Sequence, residues 1–396
     1  MKQGKYFRIP EGPADLERLW NEADALDQAD LPDWLTPEDA ENYRYAGSAR
    51  WPNRPARERD GYDAEIEELE AAGLIIDRDG EDPDLHRFYL FTPDRDWYNE
   101  AVWSIGVYRG ESPFRLRPPC GALNPVLTRD DVSDVPAAFV ADPFMINVDA
   151  QWHLFFEVMN WATNLGQIGL AVSEDAAHWS YRQIVLDEEF HLSYPQVFRC
   201  RGDYYMIPET HQAGAVRLYR AADFPTRWSH EANLLEGPYL ADASVFRHDG
   251  RWWMFVDTSP GMRHDTLRLY HADALAGPWR EHPASPLKEG DPYTARPGGR
   301  VLVVNDRVFR YAQGTQPFYG MDVRAFAVEE LTPTSYRERE VAHGPVLKGS
   351  GAGWNACGMH HVDAHLQRDG RWLACVDGWH SEEALAVLQN RNGEAR

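Results

Sequence analysis

The residues of this chain best suited to chemistry are acids set at a fixed interval. Asp142 precedes Glu157 by 15 residues, Tyr194 precedes Glu209 by 15, and Asp242 precedes Asp257 by 15. Midway between the members of each pair lies a turn: Asp149-Ala150, Arg201-Gly202 and Asp249-Gly250. Folding the chain at these turns makes antiparallel hairpins whose paired residues meet at the open end. A fourth segment offers Arg296 with Gln313, and a fifth Asp363 with Asp377. If the hairpins share one orientation, a single face collects Asp142, Glu157, Glu209, Asp242, Asp257, Asp363 and Asp377, with Arg296, Tyr194, His360 and His361 beside them. Crowded carboxylates shift one another's proton affinity, which acid–base work on a glycosidic bond requires. The plainer alternative is that Glu157, Asp257 and Asp377 cap strand ends by accepting backbone N–H bonds.

What positions them is an internal repeat. Five segments superimpose, opening at Asp142, Tyr194, Asp242, Arg296 and Asp363, with separations of 52, 48, 54 and 67 residues. Each runs through a strand, turns at a short polar stretch and returns through an apolar or aromatic strand. The first three continue into a second strand pair marked by a Trp, as in QIGLAVSEDAAHWSYR, VRLYRAADFPTRWSHE and LRLYHADALAGPWREH. Four strands per repeat and five repeats predict an all-β fold, a five-bladed β-propeller over 86–385. The fifth repeat lacks its outer pair, and an orphan pair lies upstream in RFYLFTPDRDW and AVWSIGVYRGESPFRL. Strands from about 87–117 are therefore expected to close the ring. Asp142 and Asp242 begin innermost strands, from which a side chain reaches an axial cup.

Residues 1–85 read differently. PADLERLWNEADAL and YDAEIEELEAAGLI space their apolar residues as helices do, and the Pro/Arg/Gly-rich stretch around 47–61 reads as a loop. A small, mainly helical N-terminal extension is expected, able to pack on the propeller or to dock a protein partner. Residues 386–396 read as a tail.

Composition narrows the function. A formal net charge of -23 repels nucleic acid and anionic lipid, so neither is expected as a partner. The N-terminus has no apolar signal region and no run suits membrane insertion, so a cytoplasmic location is expected. Four cysteines without a CxxC spacing give no zinc ribbon and call for no disulfide. P-loop, GxSxG and HExxH motifs are missing from the sequence. Fifteen Trp and 18 Tyr suit strand cores and also sugar faces. Trp161 and Trp354 flank inner strands and could be sugar platforms. His361, Asp363 and His365 alternate along one strand and share a face; hydrogen-bonding core histidines explain them as well as a metal does, and no metal ligands are assigned.

Phe139-Val140-Ala141-Asp142-Pro143-Phe144 and Ala241-Asp242-Ala243-Ser244-Val245-Phe246 resemble the first- and third-blade motifs of glycoside hydrolase family 43, in the arabinanase/levansucrase/invertase superfamily of five-bladed propellers. The stretch from Trp103 to about Tyr336, including His191-Leu192-Ser193-Tyr194-Pro195, Met206-Ile207-Pro208-Glu209-Thr210 and Ala295-Arg296-Pro297, is similar to the propeller domain of glucosamine inositolphosphorylceramide transferase-like proteins. The resemblance implies a carbohydrate ligand, with Asp142 as general base and Asp242 as the carboxylate that orients the sugar. It also implies a general-acid Glu opening the fourth blade, where this chain has Arg296. Three readings stay open. Glu209 replaces the acid; or Arg296 binds an anionic group in phosphorolysis or transfer; or the propeller binds glycans without catalysis. Tyr194, Glu157, Asp257, His361 and Asp363 are expected to line the substrate site. Family 43 propellers also imply a possible Ca2+ near the axis, with no other cofactor.

Overall fold

Runs rich in β-branched and aromatic residues, separated by Asp-Gly-type turns, form strands throughout the main body. The computed structural model describes residues 43–50, 75–78 and 85–91, and 101–388 apart from 120–123, 260–262, 342–343, 383 and 386–387. The chain divides into two units, Met1–Glu100 and Ala101–Arg396.

In the first unit the described residues are strands β1 (Tyr43–Arg50), β2 (Ile75–Arg78) and β3 (Leu85–Phe91), joined antiparallel in the order β1-β3-β2. The expected helices fall almost wholly outside the described residues. Two expectations change here. The presumed loop around 47–61 begins inside β1. The run from Arg87 belongs to β3 and pairs within this sheet, so it takes no part in closing the propeller, and the unit boundary lies at 100/101 rather than 85/86.

The second unit is the propeller. Strands β4 (Val102–Ser112) and β5 (Arg115–Arg117) come first. Blade one is β6 (Ala137–Val148), β7 (Gln151–Asn160), β8 (Leu165–Ser173) and β9 (Ser180–Leu186). Blade two is β10 (Ser193–Cys200), β11 (Asp203–Glu209), β12 (Ala215–Asp223) and β13 (Arg227–Glu236). Blade three is β14 (Ala241–His248), β15 (Arg251–Asp257), β16 (Leu267–Ala272) and β17 (Arg280–Glu281). Blade four is β18 (Leu302–Val304), β19 (Arg307–Gly314), β20 (Asp322–Leu331) and β21 (Tyr336–Glu340), with β22 (Leu347–Lys348) also on β20. Blade five joins β23 (Val362–Leu366) and β24 (Trp372–His380) to β4 and β5, in the order β23-β24-β4-β5. The expected closure therefore holds for AVWSIGVYRGESPFRL alone. It runs in unbroken register from Trp372 opposite Gly110 to His380 opposite Val102.

Each junction between neighbouring blades has its own apolar core. Ile105, Val140, Leu154 and Cys375 fill the junction of blades five and one; Phe144, Leu170, Val197 and Met206 fill that of one and two. Both faces of a blade are thus buried. Its central strands read as near-continuous apolar runs rather than strict alternation, as in Trp152–Val158. Blade four is irregular at the axis, where Gly299, at φ 137°, lies so close to Val362 that a Cβ would fall 1.9 Å from its carbonyl oxygen. Only glycine passes there.

Candidate active site

The acids are aimed by a bulge repeated in three blades. Ala141 faces Glu157 while Phe144 faces Phe155; Ser193 faces Glu209 while Gln196 faces Ile207; Ala241 faces Asp257 while Ser244 faces Phe255. One extra residue sits on each innermost strand. Asp142, Tyr194 and Asp242 therefore do not stand directly opposite their partners, as equal spacing suggested. They occupy the left-handed region, at φ 51°, 46° and 50°. Asp tolerates this conformation; for Tyr it is strained and requires support from outside the strand.

Asp142 is nearly buried. Its backbone N–H donates to Asp377 Oδ2 at 3.0 Å, its own Oδ2 accepts from the Tyr194 N–H at 3.2 Å, and Oδ1 lies 3.5 Å from His361 Nδ1. Burial, reinforced by Asp242 and Asp377 and opposed by His360, pushes its carboxyl up to about 7. Asp242 Oδ2 accepts from Arg296 Nε at 2.6 Å and from Gln313 Nε2 at 3.0 Å, while Oδ1 is buried without a hydrogen bond. Burial lifts Asp242 to about 6 against the pull of Arg296. Arg296 also donates from Nη1 to the Tyr239 hydroxyl at 3.2 Å and to His264 Nδ1 at 2.5 Å, and lies over the Tyr319 ring. Because Nδ1 accepts, His264 carries its proton on Nε2.

Glu157 and Glu209 belong to the same buried group of charges as Asp142 and Asp242. Burial would raise Glu209, but His211, whose Nδ1 is 2.7 Å from Oε1, outweighs it and holds the carboxylate down at about 2. A group so firmly ionised has no proton to give near neutrality, so Glu209 is an unsuitable replacement for the missing acid. Glu157 goes the other way. Burial first, then the charges of Asp142 and Glu209, raise it well above the usual carboxylate range.

Four expected lining residues are drawn into the scaffold instead. Tyr194 is fully buried, and its hydroxyl is saturated by Ser244 Oγ at 2.8 Å, the Gly299 carbonyl at 2.9 Å and the Gly299 N–H at 2.7 Å. Asp363 accepts from Arg300 Nε at 2.5 Å, the Met145 N–H at 2.7 Å and His365 Nε2 at 3.0 Å. Its register partner is Cys375, so it does not meet Asp377. His361 is fully buried, edge-on to Phe144 and Tyr194, and burial lowers it to about 4. Asp257 spends Oδ1 on the Ser259 N–H and hydroxyl. Trp354 packs on Gly106 and Gly378 in blade five, whereas Trp161, following β7, is 72% exposed at the cup end.

Donor atoms of Asp142, His360 and Asp377 lie within 4.8 Å of one another. They do not fit the calcium that the resemblance implied. Asp377 already accepts the N–H groups of Asp142, His360 and His361 and the His360 ring, and calcium wants six to eight oxygens. His211, Tyr239, His264 and Arg300 escaped the sequence reading, and His191 entered it only as part of the motif before Tyr194. His211 stands two residues from Glu209, which was its one signal.

Among solved structures the chain is similar to a glycosidase candidate of Bacteroides thetaiotaomicron (13% identity, TM-score 0.52, 67% of this chain and 97% of that one). It is also similar to a β-1,2-mannobiose phosphorylase of Listeria innocua (13%, TM-score 0.50, 69% and 96%). At such identity the likeness establishes the five-bladed fold alone. Glucosamine inositolphosphorylceramide transferase 1 of Oryza sativa subsp. japonica is 37% identical over 300 residues, and that of Arabidopsis thaliana 35% over 300, covering 70% and 71% of this chain. The chain spans about 40% of the length of these curated relatives. With residues 95–379 matching its family model, the chain belongs to the family described as glucosamine inositolphosphorylceramide transferase 1, N-terminal.

Proposed function

We propose that the protein is carbohydrate-active and that its cup acts on a glycosidic bond, with Asp142 as the base and Asp242 as the carboxylate that orients the sugar. One observation carries this reading. Asp142 is held at the axis in a left-handed bulge, beside a second acid, with its carboxyl raised to about 7. A base of that strength exchanges protons near neutrality. The lining suits a polyol. Acceptors on Asp142, Glu157 and Asp242 are accompanied by donors on His191, His264 and Arg296, and each sugar hydroxyl both gives and accepts a hydrogen bond. The exposed ring of Trp161 offers an apolar sugar face a platform at the rim. The named activity of the relatives, a glycosyl transfer, lies in the same broad chemistry.

Arg296 favours a second reading. It stands where the resemblance called for an acid, and a guanidinium there suits a glycan-binding cup without turnover, or a phosphate acceptor. One experiment separates them. Purified protein is incubated with aryl furanosides, aryl pyranosides and glycans, with and without inorganic phosphate, beside Asp142→Asn. Release of sugar that falls by at least about 10²-fold in the variant supports the enzyme. Release that needs phosphate makes it a phosphorylase. No release from any substrate, with sugar still raising the melting temperature, makes it a binding module.

A further inference from the structure

The cup holds a base and an orienting acid, yet blade four supplies no proton donor. Each remaining carboxyl can be asked whether it is able to hold a proton and release it into the cup. Glu209 is paired with His211, Asp363 with Arg300, and Asp377 with three backbone N–H groups and His360. Asp257 is turned into the Ser259 loop and is fully buried. Asp257 and Glu157 are the two without a cationic partner within hydrogen-bond reach, and of these only Glu157 retains any exposure. Its side chain is 8% exposed, as is that of Asp142.

Its surroundings are built to hold it there. Glu157 stands on β7 opposite Ala141, one residue from the bulged Asp142 and three pairs before the hairpin ends at Asn160. On the neighbouring strand Gly166, opposite Met159, leaves room: a Cβ there would fall 3.0 Å from Glu157 Oε1 and 2.7 Å from His191 Cε1. The His191 ring enters this gap. Its Nδ1 accepts from the Gly166 N–H at 2.9 Å, so Nε2 carries the proton and lies 3.4 Å from Glu157 Oε1. Burial lowers His191, which keeps the ring neutral. A neutral imidazole beside the carboxyl brings no positive charge that would strip its proton. The nearby charges of Asp142, Glu209, Asp377 and Asp242 all disfavour ionisation of Glu157.

We infer that Glu157, on β7 beside His191, is the group that protonates the leaving oxygen. The inference rests on the glycosidic reading above. As the anomeric C–O bond breaks, the Glu157 O–H proton passes to the departing oxygen. Water adds to the anomeric carbon and gives a proton to Asp142. The two carboxyls, now with exchanged protonation, return to their starting states by transferring one proton through solvent.

Glu157→Gln, a neutral isostere, tests the assignment. Each protein is assayed on a glycan and on an aryl glycoside whose phenolate leaves without protonation, and its thermal melt is recorded. The inference expects a loss of about 10²–10⁴-fold on the glycan, near-normal rates on the activated aryl glycoside, and disappearance of the alkaline fall in kcat/KM. Equal losses on both substrates would overturn it and leave Glu157 a positioning residue. A second measurement needs no turnover: a protonated-carboxyl infrared band at neutral pH in the difference spectrum of wild type minus Glu157→Gln, in which bands from Asp142 and Asp242 cancel. If wild-type Glu157 is ionised at neutral pH, the inference fails whatever the activity. If the band is present but no substrate is turned over, the glycosidic reading fails, and the donor role with it, while the protonated carboxyl stands.

Discussion

Two regions of the propeller use the same residue types to opposite ends. Around the axis, Arg300, Asp363, Asp377 and Tyr194 tie blades together. Arg300 alone reaches Asp363 in blade five, the Val197 carbonyl in blade two and the Met145 carbonyl in blade one. There the carboxyls are matched by donors, and burial is outweighed: Arg300 and His365 hold Asp363 below the usual carboxylate range. In the cup, Asp142, Glu157 and Asp242 are matched incompletely, Asp242 Oδ1 has no hydrogen bond, and burial wins. The difference separates scaffold from chemistry. A buried acid whose bonds are complete holds the fold; one left incomplete is available to a substrate.

The sharpest way to break this comparison is the same substitution in both places. Asp142→Asn should remove turnover while its melting transition stays unchanged or rises, because a neutral amide suits a buried site. Asp363→Asn should do the reverse, leaving Arg300 with a buried, uncompensated charge at about 3–5 kcal/mol of stability. Equal stability losses in a denaturant titration would erase the distinction. Tyr194→Phe should have a smaller effect, about 1–3 kcal/mol, since it leaves the Gly299 N–H and carbonyl without their partner. A variant as stable as wild type would show that the strained tyrosine is retained for something other than its hydroxyl.

The smallest effect is the pH slope. Between the ordinary value of 3.8 and about 7, folded Asp142 keeps a proton that the unfolded chain has released. Its contribution therefore makes stability fall as pH rises through that window. Asp363 has the opposite sign: its depressed value gives stability above the ordinary carboxylate range that is lost as pH falls through it. Urea unfolding between pH 4 and 8 should show a flatter alkaline decline in Asp142→Asn than in wild type. Parallel curves would mean that Asp142 is not raised.

The repeat made the blades and their closing strand legible, because hairpin turns and Trp-marked outer pairs recur at blade-sized spacing. Asp142 and Asp242 were legible for the same reason. Their exact facing was not. A bulge adds one residue to a strand without changing its composition, so a spacing of 15 looks like direct pairing when Ala141 and Ala241 are the true partners. In the fifth repeat the spacing from Asp363 to Asp377 is 14, and that shortfall was the one sign that the two acids do not meet. Arg300 was hidden because blade four has no regular strand where it enters the axis. His264 and Tyr239 lie on connections between strands, where no periodicity marks a residue.

The bond from the Asp142 N–H to Asp377 spans 235 residues. During synthesis the base emerges early and the group that fixes its backbone emerges near the end of the propeller. A nascent chain holding blades one to four has the acids, and ties Asp142 through the Tyr194 N–H, but lacks the acceptor for the Asp142 N–H. Contacts of such long separation form late. The Asp142 backbone is therefore tied to Asp377 only once blade five is made and β24 pairs with β4.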